Sequence, residues 1–216
     1  HFVLTPSGHL LTSKHPLHAR QFLQCQQNWL DQVRKNLTQL ARGGDKNREN
    51  NDESTCFNAY MAFSKADMRE TLKQFISAMD ALTWESGDLL LSSPLSVDFS
   101  RFRTIADCGG CSGAFLARLM QRYDNIRHGI VFDLPHAIEE VSNKEFEERK
   151  IDPSLYEFIG GNLLDPTTIP SNVDAYILKY VLDCYEDKSV IGILSAIREA
   201  VKRNIEKTEV FVFIIE

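Results

Sequence analysis

Beyond residue 104 the chain changes texture. Short β-rich runs alternate with helical patterns, and this alternation limits the fold more than any other feature of the sequence. The β-rich runs fall at 104–108, 129–132, 156–159, 175–178 and 210–215, with helical patterns near 113–123, 136–149 and 187–203. Strands joined by helices are βαβ units, and such units build a parallel sheet covered on both faces. Right-handed crossovers then predict a doubly wound α/β sheet. No apolar run approaches the roughly 20 residues a membrane helix needs. The densest, 210–215, suits a buried strand.

The first hundred residues are of another kind. Residues 1–12 read as a short β element with Pro6-Ser7-Gly8 as its turn. Residues 17–41 carry Phe22, Trp29, Leu30, Val33, Leu37 and Leu40 at a spacing close to one helical turn, which predicts a helix. Residues 43–54 contain no apolar side chain and are expected to be a solvated loop. Residues 57–82 read as helix again, with Tyr60, Met61, Phe63, Met68, Leu72, Phe75, Ile76, Met79 and Leu82 on a broad face. Such a stripe packs a core or lines a ligand pocket.

Composition narrows the partners. Lys plus Arg number 24 and Asp plus Glu 30, so the formal net charge is −6. Phosphate contacts need a clustered excess of Lys and Arg, so a general nucleic-acid binder is not expected. A hydrophobic fraction of 43% with 25% charged residues excludes a disordered chain. The cysteines Cys25, Cys56, Cys108, Cys111 and Cys184 are odd in number and irregularly spaced. A reducing compartment is therefore expected rather than a disulfide framework. The first residues do not read as a signal peptide, so none is expected there. The first residues read as a strand already in progress and V-F-V-F-I-I-E as a strand with nothing after it, so the sequence is expected to be cut at both ends.

The most informative stretch is Ile105-Ala106-Asp107-Cys108-Gly109-Gly110-Cys111-Ser112-Gly113-Ala114-Phe115, which reads as strand, glycine loop and helix. Glycines permit tight turns and let backbone approach a ligand closely. A helix start presents unpaired N–H groups and a positive dipole end to a carboxylate or phosphate. Dinucleotide sites carry G-x-G-x-x-G at this place. Gly109, Gly110 and Gly113 make G-G-x-x-G, which departs from that spacing. The second strand ends at Ile130-Val131-Phe132-Asp133, and an acid there can accept both ribose hydroxyls of an adenosine-type cofactor. A tight βα turn with a helix-capping acid is the plainer alternative. Cys108 and Cys111 also form C-x-x-C, a pattern of dithiol redox sites. Zinc would need a second ligand pair, which Cys184 and the scattered histidines do not supply. The dithiol reading leaves Asp107, the glycines and Asp133 unexplained.

Taken together, D-C-G-G-C-S-G, G-I-V-F-D-L-P, G-G-N-L-L-D-P, D-A-Y-I-L-K-Y-V-L and F-I-I-E resemble, in order and spacing, the motifs of a known family. It is that of the S-adenosylmethionine-dependent O-methyltransferases of the plant caffeate and animal hydroxyindole (acetylserotonin) type. The likeness covers about residues 100–216. L-T-P-S-G-H-L-L resembles the wing of that family's winged-helix dimerisation domain, and F-N-A-Y-M and F-I-S-A-M its substrate-facing helices. The resemblance implies a class I methyltransferase domain, Rossmann-like and doubly wound, over 101–216 and incomplete at its C-terminus. It implies a partial, mostly helical winged-helix, dimerisation and substrate-lining region over 1–100. S-adenosylmethionine is the implied cofactor and a small aromatic hydroxyl, a hydroxyindole or phenol, the implied acceptor. A cytoplasmic homodimer is the implied full-length state, with no metal and no nucleic-acid or membrane partner.

Carried over by position, Asp107, Gly109, Gly110 and Gly113 form the loop under the methionine part of the cofactor. Asp133 takes the ribose hydroxyls, with Leu134 beside the adenine. Asn162 and Leu163 stand where the family has Asp and an apolar residue around the adenine, and Asn162 still offers a carbonyl oxygen. Lys179 matches a lysine near the methionine end. Met61, Phe75, Ile76 and Met79 are the implied lining of the acceptor pocket.

The family's run after that lysine is x-x-L-H-D-W, and its histidine is the general base. Here the run is Lys179-Tyr180-Val181-Leu182-Asp183-Cys184-Tyr185, so Asp183 takes the base position. Glu216 matches the first of two acids that hold the histidine in place. Asp183 reads either as a replacement base or as a cap of the helix that follows. A phenol titrates near ~10, an imidazole near ~6.5 and a carboxylate near ~3.9. Proton transfer to a carboxylate is then uphill by ~8 kcal/mol, against ~5 kcal/mol to an imidazole. Positioning alone supplies a large part of a methyl-transfer barrier. Three readings are ordered accordingly. An O-methyltransferase comes first and a cofactor-binding relative with impaired catalysis and a binding or regulatory role second. A nucleotide-dependent oxidoreductase comes third, disfavoured by the G-G-x-x-G spacing.

Overall fold

The computed structural model describes residues 3–5, 8, 9, 12, 20, 23, 24, 27, 69–92, 97–203 and 209–216. The chain forms two compact units, His1–Glu85 and Ser86–Glu216.

The second unit is built on a five-stranded sheet in the order β3-β2-β1-β4-β5, with every neighbouring pair parallel. The strands are β1 Thr104–Cys108, β2 His128–Asp133, β3 Tyr156–Gly160, β4 Ala175–Lys179 and β5 Phe211–Ile215. They are the five runs expected from sequence, and no boundary is displaced by more than one residue. The helices are α1 Arg69–Ser92, α2 Ala114–Arg122, α3 Pro135–Ile138, α4 Lys144–Glu148 and α5 Asp187–Lys202.

Side chains alternate along a strand, so each inner strand feeds two cores. Ala106, Cys108, Phe132, Tyr176 and Leu178 point one way and pack with Ile193, Ala196, Ile197 and Ala200 of α5. Ile105, Val131, Ala175 and Ile177 point the other way and pack with Phe115, Leu116, Leu119 and Met120 of α2 and Phe146 of α4. Ile105, Ile177 and Leu178 are 0% exposed, and burying such a side chain contributes roughly 1.5–3 kcal/mol. Helices on both faces make the sheet doubly wound, as expected. The chain turns back between β1 and β4, which places the switch point of the sheet there.

Asp174 ties the N-terminal edge of the sheet. Its Oδ2 accepts the N–H of Arg103 at 2.7 Å and of Thr104 at 2.8 Å. Its own N–H donates to the Thr104 carbonyl at 2.8 Å, and its carbonyl accepts the Phe211 N–H at 3.0 Å. One residue thus joins the starts of β1, β4 and β5. β5 is an outer strand, and its Val212 and Ile214 are 40% and 50% exposed.

Three expectations give way to packing. The helix expected to end at residue 82 continues to Ser92, because Leu90 and Leu91 extend its apolar face past Gly87, a poor helix former. The single helix expected over 136–149 is two short ones. The chain breaks around Ser142-Asn143, and Phe146, 0% exposed and stacked at 4.0 Å on Tyr156, fixes α4 against β3. Of the β element expected over 1–12 only residues 3–5, 8, 9 and 12 are described, and among these Gly8 and His9 are helical and none is in a strand. Thr5 caps that turn, accepting the Gly8 N–H on Oγ1 at 3.0 Å and the His9 N–H on its carbonyl at 3.0 Å.

Within 17–41 the described residues Arg20, Leu23, Gln24 and Gln27 are helical. The rest of that stretch, the loop at 43–54 and residues 57–68 lie outside the described residues, and with them Met61. Among the described residues no helix is long and apolar enough to cross a membrane.

Candidate functional site

The register of the sheet assembles the site. Cys108 pairs with Phe132 on one side and Leu178 on the other, so Gly109, Asp133 and Lys179 leave the C-terminal edge side by side. Lys179 in turn pairs with Ile215, and Glu216 follows. In open α/β sheets this edge, at the switch point, is where ligands bind.

Two glycines make the loop above β1. Gly109 and Gly113 have φ of 73° and 77°, a region that costs other residues strain. A Cβ on Gly109 would lie 2.6 Å from Val181, and one on Gly113 would lie 2.7 Å from both Phe146 and Val131. Gly109 donates its N–H to the Phe132 carbonyl at 2.7 Å, which anchors the turn on β2. Gly113 then opens α2 directly. Cys111 also has a positive φ, 50°, without being glycine, a conformation costing on the order of 1–3 kcal/mol. Its N–H donates to Asp133 Oδ2 at 3.0 Å.

Asp133 is 5% exposed. Its Oδ1 accepts the Leu134 N–H at 2.7 Å, so two backbone donors orient the carboxylate. Each carboxylate oxygen offers about two acceptor positions, which leaves room for a pair of hydroxyls. Leu134, 9% exposed, stands immediately before α3. Asp107 lies deeper, 2% exposed. Burial pushes its carboxyl up to about 7 and the nearby Asp133 adds to this, while Lys179 and the backbone N–H of Leu116 in the first turn of α2 oppose it. Lys179 is half-buried, with Nζ 4.4 Å from the Tyr180 ring centroid and 5.9 Å from that of Phe115. It is not a strand-end lysine reaching only for solvent.

The Asn162 Oδ1 accepts the Leu164 N–H at 2.9 Å and so shapes its own loop, while keeping a second lone pair. Leu163 is 6% exposed, packed in the core on the α5 face of the sheet. Phe75, Ile76 and Met79 lie on α1 in the first unit, Ile76 buried and the other two half-buried.

Asp183 and Glu216 come together. Asp183 lies in a 3-10 turn, Leu182–Cys184, entered through Tyr180 at φ 54°. Glu216 Oε1 accepts the Leu182 N–H at 3.0 Å and its carboxyl hydrogen-bonds Asp183. Burial first, and then the charge of Asp183, pushes the Glu216 carboxyl up from its ordinary range. Asp183 is exposed. It does not cap α5, which starts at Asp187 with Glu186 in the capping position.

The dithiol reading is not supported. Among the described residues Cys108, Cys111 and Cys184 are outside any disulfide. Burial pushes the Cys108 thiol far up, opposite to what a redox thiolate needs. Among the described residues no group of His, Cys, Asp and Glu could hold a metal ion. Two contributors escaped the sequence. Cys111 orients Asp133, and half-buried Tyr185 lies close enough to Asp133 for that charge, together with burial, to push its phenol up. The only sequence signal for either was its place inside a motif.

Known proteins are similar to this chain in sequence and in fold. O-methyltransferase 7 of Dictyostelium discoideum is 35% identical over 118 residues, which cover 55% of this chain and 31% of that protein. O-methyltransferase SfmM3 of Streptomyces lavendulae is 28% identical over 203 residues, covering 92% of this chain and 56% of that one. The chain therefore spans about a third to somewhat over half the length of these curated relatives. Human N-acetylserotonin methyltransferase, solved in complex with SAM, has a similar fold, with a TM-score of 0.52 at 24% identity over 69% of this chain and 39% of that one. The O-methyltransferase domain family matches residues 44–215, the greater part of the sequence and all five strands, and this chain belongs to that family.

Proposed function

We propose that this chain carries the cofactor-binding part of an S-adenosylmethionine-dependent O-methyltransferase acting on a small aromatic hydroxyl, a hydroxyindole or phenol. The observation that carries the reading is the row Gly109, Asp133 and Lys179 at the switch point, with Asp107 buried beneath it. The donor set fits the cofactor. Asp133 has acceptor positions for two ribose hydroxyls, with Leu134 and Asn162 on the adenine side. Asp107 and the glycine loop offer negative charge and close backbone approach to the methionine end. Bound there, S-adenosylmethionine supplies an electrophilic methyl group on a sulfonium.

The chain's own residues do the rest. Asp183 is the base that takes the hydroxyl proton of the acceptor. Alone, a carboxylate stands ~8 kcal/mol uphill of a phenol. Its hydrogen bond to Glu216 holds the carboxylate in place at the end of β5. Holding the hydroxyl in line with the methyl supplies much of the remaining acceleration. Phe75, Ile76 and Met79, with Met61, form the apolar side of the acceptor pocket in this reading. Residues 1–100 serve dimerisation and substrate enclosure, residues 101–216 hold the cofactor, and the working enzyme is a cytoplasmic homodimer. Among the described residues Cys108, Cys111 and Cys184 lie outside any disulfide, which supports a reducing compartment.

Calorimetry with S-adenosylmethionine tests the cofactor, and mass spectrometry of a phenol and hydroxyindole panel tests the reaction. Binding with slow methylation of at least one hydroxyl is expected. No binding of S-adenosylmethionine or its demethylated product would overturn the reading.

A further inference from the structure

The crossing from β3 to β4 contains no helix, although parallel strands are usually joined by one. Leu163, Ile169 and Val173 are buried in the core on the α5 face, so the segment lies on the sheet as a helix would. Without a helical ladder its backbone polar groups need other partners. Side chains supply them. Arg203, the residue that closes α5, donates from Nη1 to the Pro166 carbonyl and from Nη2 to the Ile169 carbonyl, the latter at 2.8 Å. The Tyr176 hydroxyl donates to the Pro170 carbonyl. Between the two carbonyls held by Arg203 stands Thr168. Its Oγ1 accepts the Asn162 N–H at 3.0 Å and shares its proton between the carbonyls of Asn162 and Asp165, at 3.0 and 2.9 Å. A Cβ on Gly161 would lie 2.9 Å from the Thr168 Cβ, so Thr168 packs directly on the start of the crossing. Gly161 in turn donates its N–H to the Asp133 carbonyl at 2.9 Å. A continuous series of contacts thus runs from Arg203 through Pro166 and Ile169 to Thr168, and from there to Gly161 and Asn162 beside Asp133.

We propose that Arg203 is a positioning residue for the ligand edge: by gripping the β3–β4 crossing it fixes, through Thr168, where Gly161 and Asn162 stand against Asp133. The proposal rests on the reading that places the ribose of S-adenosylmethionine on Asp133. Arg203 acts on that ligand only through the crossing. A rigid guanidinium fork suits the task, since one side chain holds two carbonyls at a fixed separation. A crossing already held in place loses no freedom when the nucleoside binds, whereas a released one does.

Calorimetry with S-adenosylmethionine and S-adenosylhomocysteine, at a temperature where circular dichroism shows each variant folded, separates positioning from stability. Both ligands carry the same nucleoside, so Arg203→Met should weaken both by the same factor, roughly 3- to 10-fold. Arg203→Lys keeps the charge but offers one ammonium to the two carbonyls, and should fall between the wild-type protein and Arg203→Met. Hydrogen exchange across residues 161–170 of the unliganded protein should quicken in Arg203→Met and slow again at saturating S-adenosylmethionine. Thr168→Val removes the middle of the series while keeping its shape. It should also weaken both ligands, and the double variant should bind no more weakly than Thr168→Val alone. Should Arg203→Met not fold, Arg203→Lys and Thr168→Val carry the same measurements. Unchanged affinity or unchanged exchange in the folded variants, or additive losses in the double variant, would overturn the proposal while leaving the cofactor reading intact. Failure of both ligands to bind the wild-type protein would overturn the cofactor reading and the proposal with it.

Discussion

The two edges of the central sheet each place an aspartate beside a strand end, to opposite purposes. At the N-terminal edge Asp174 accepts two backbone N–H groups of its own fold, from Arg103 and Thr104, and is spent on holding β1, β4 and β5 in register. At the C-terminal edge Asp133 also accepts two backbone N–H groups, from Cys111 and Leu134, but beside a strained loop. Asp107 lies buried beneath it. Two carboxylates with the same number of backbone donors thus differ in their surroundings. One closes the start of the sheet, and the other stands next to left-handed residues and a helix start, where strain is commonly stored for a ligand.

Substitutions sharpen this contrast. The largest effect is expected from Asp183→His, which recreates an imidazole opposite Glu216. Methyl transfer to phenols at neutral pH should rise, by up to the ~10²–10⁴-fold usual for a positioned base. Robust natural activity lost in both Asp183→Asn and Asp183→His would instead make Asp183 the better base. Asp133→Ala removes a charged acceptor, a loss on the order of 1.5–3 kcal/mol, so affinity for S-adenosylmethionine should fall about 10- to 100-fold by calorimetry. Asp174→Ala should do the reverse. Two backbone donors lose their partner, unfolding free energy in denaturant should drop by roughly 1–3 kcal/mol, and cofactor affinity should be unchanged. A large affinity loss in Asp174→Ala would break the division between the edges. The smallest effect is Cys111→Gly, which relieves the left-handed conformation and should raise the denaturation midpoint by an amount equivalent to about 1 kcal/mol or less.

How much of this was legible depends on where each signal resides. The strands were readable to within a residue because a parallel sheet buried on both faces demands continuous apolar runs, and loops flank them. The loop at the C-terminal edge was readable because glycine at Gly109 and Gly113 is required by local geometry that sequence spacing preserves, and Asp133 follows at the end of the next strand. The break between α3 and α4 was not, since it is decided by Phe146 stacking on Tyr156 from a different element. Nor was Leu163, whose place in the core depends on α5. The left-handed Cys111 and Tyr180 leave no mark in composition or periodicity, because non-glycine residues adopt that conformation only when surrounding contacts compel it. The charge state of Asp107 depends on Lys179 and Asp133, which only the sheet register brings near.

The outer strand β5 has a consequence for how this chain behaves in a tube. Among the described residues no strand pairs with its outer side, and Val212 and Ile214 lie exposed on one face. Such an edge is a template on which a second copy can lay a strand. Turbidity should therefore grow with protein concentration and with storage time, even where the fold itself is sound. A single lysine in place of Ile214 would put a charge in the path of that growth and keep concentrated samples clear for longer.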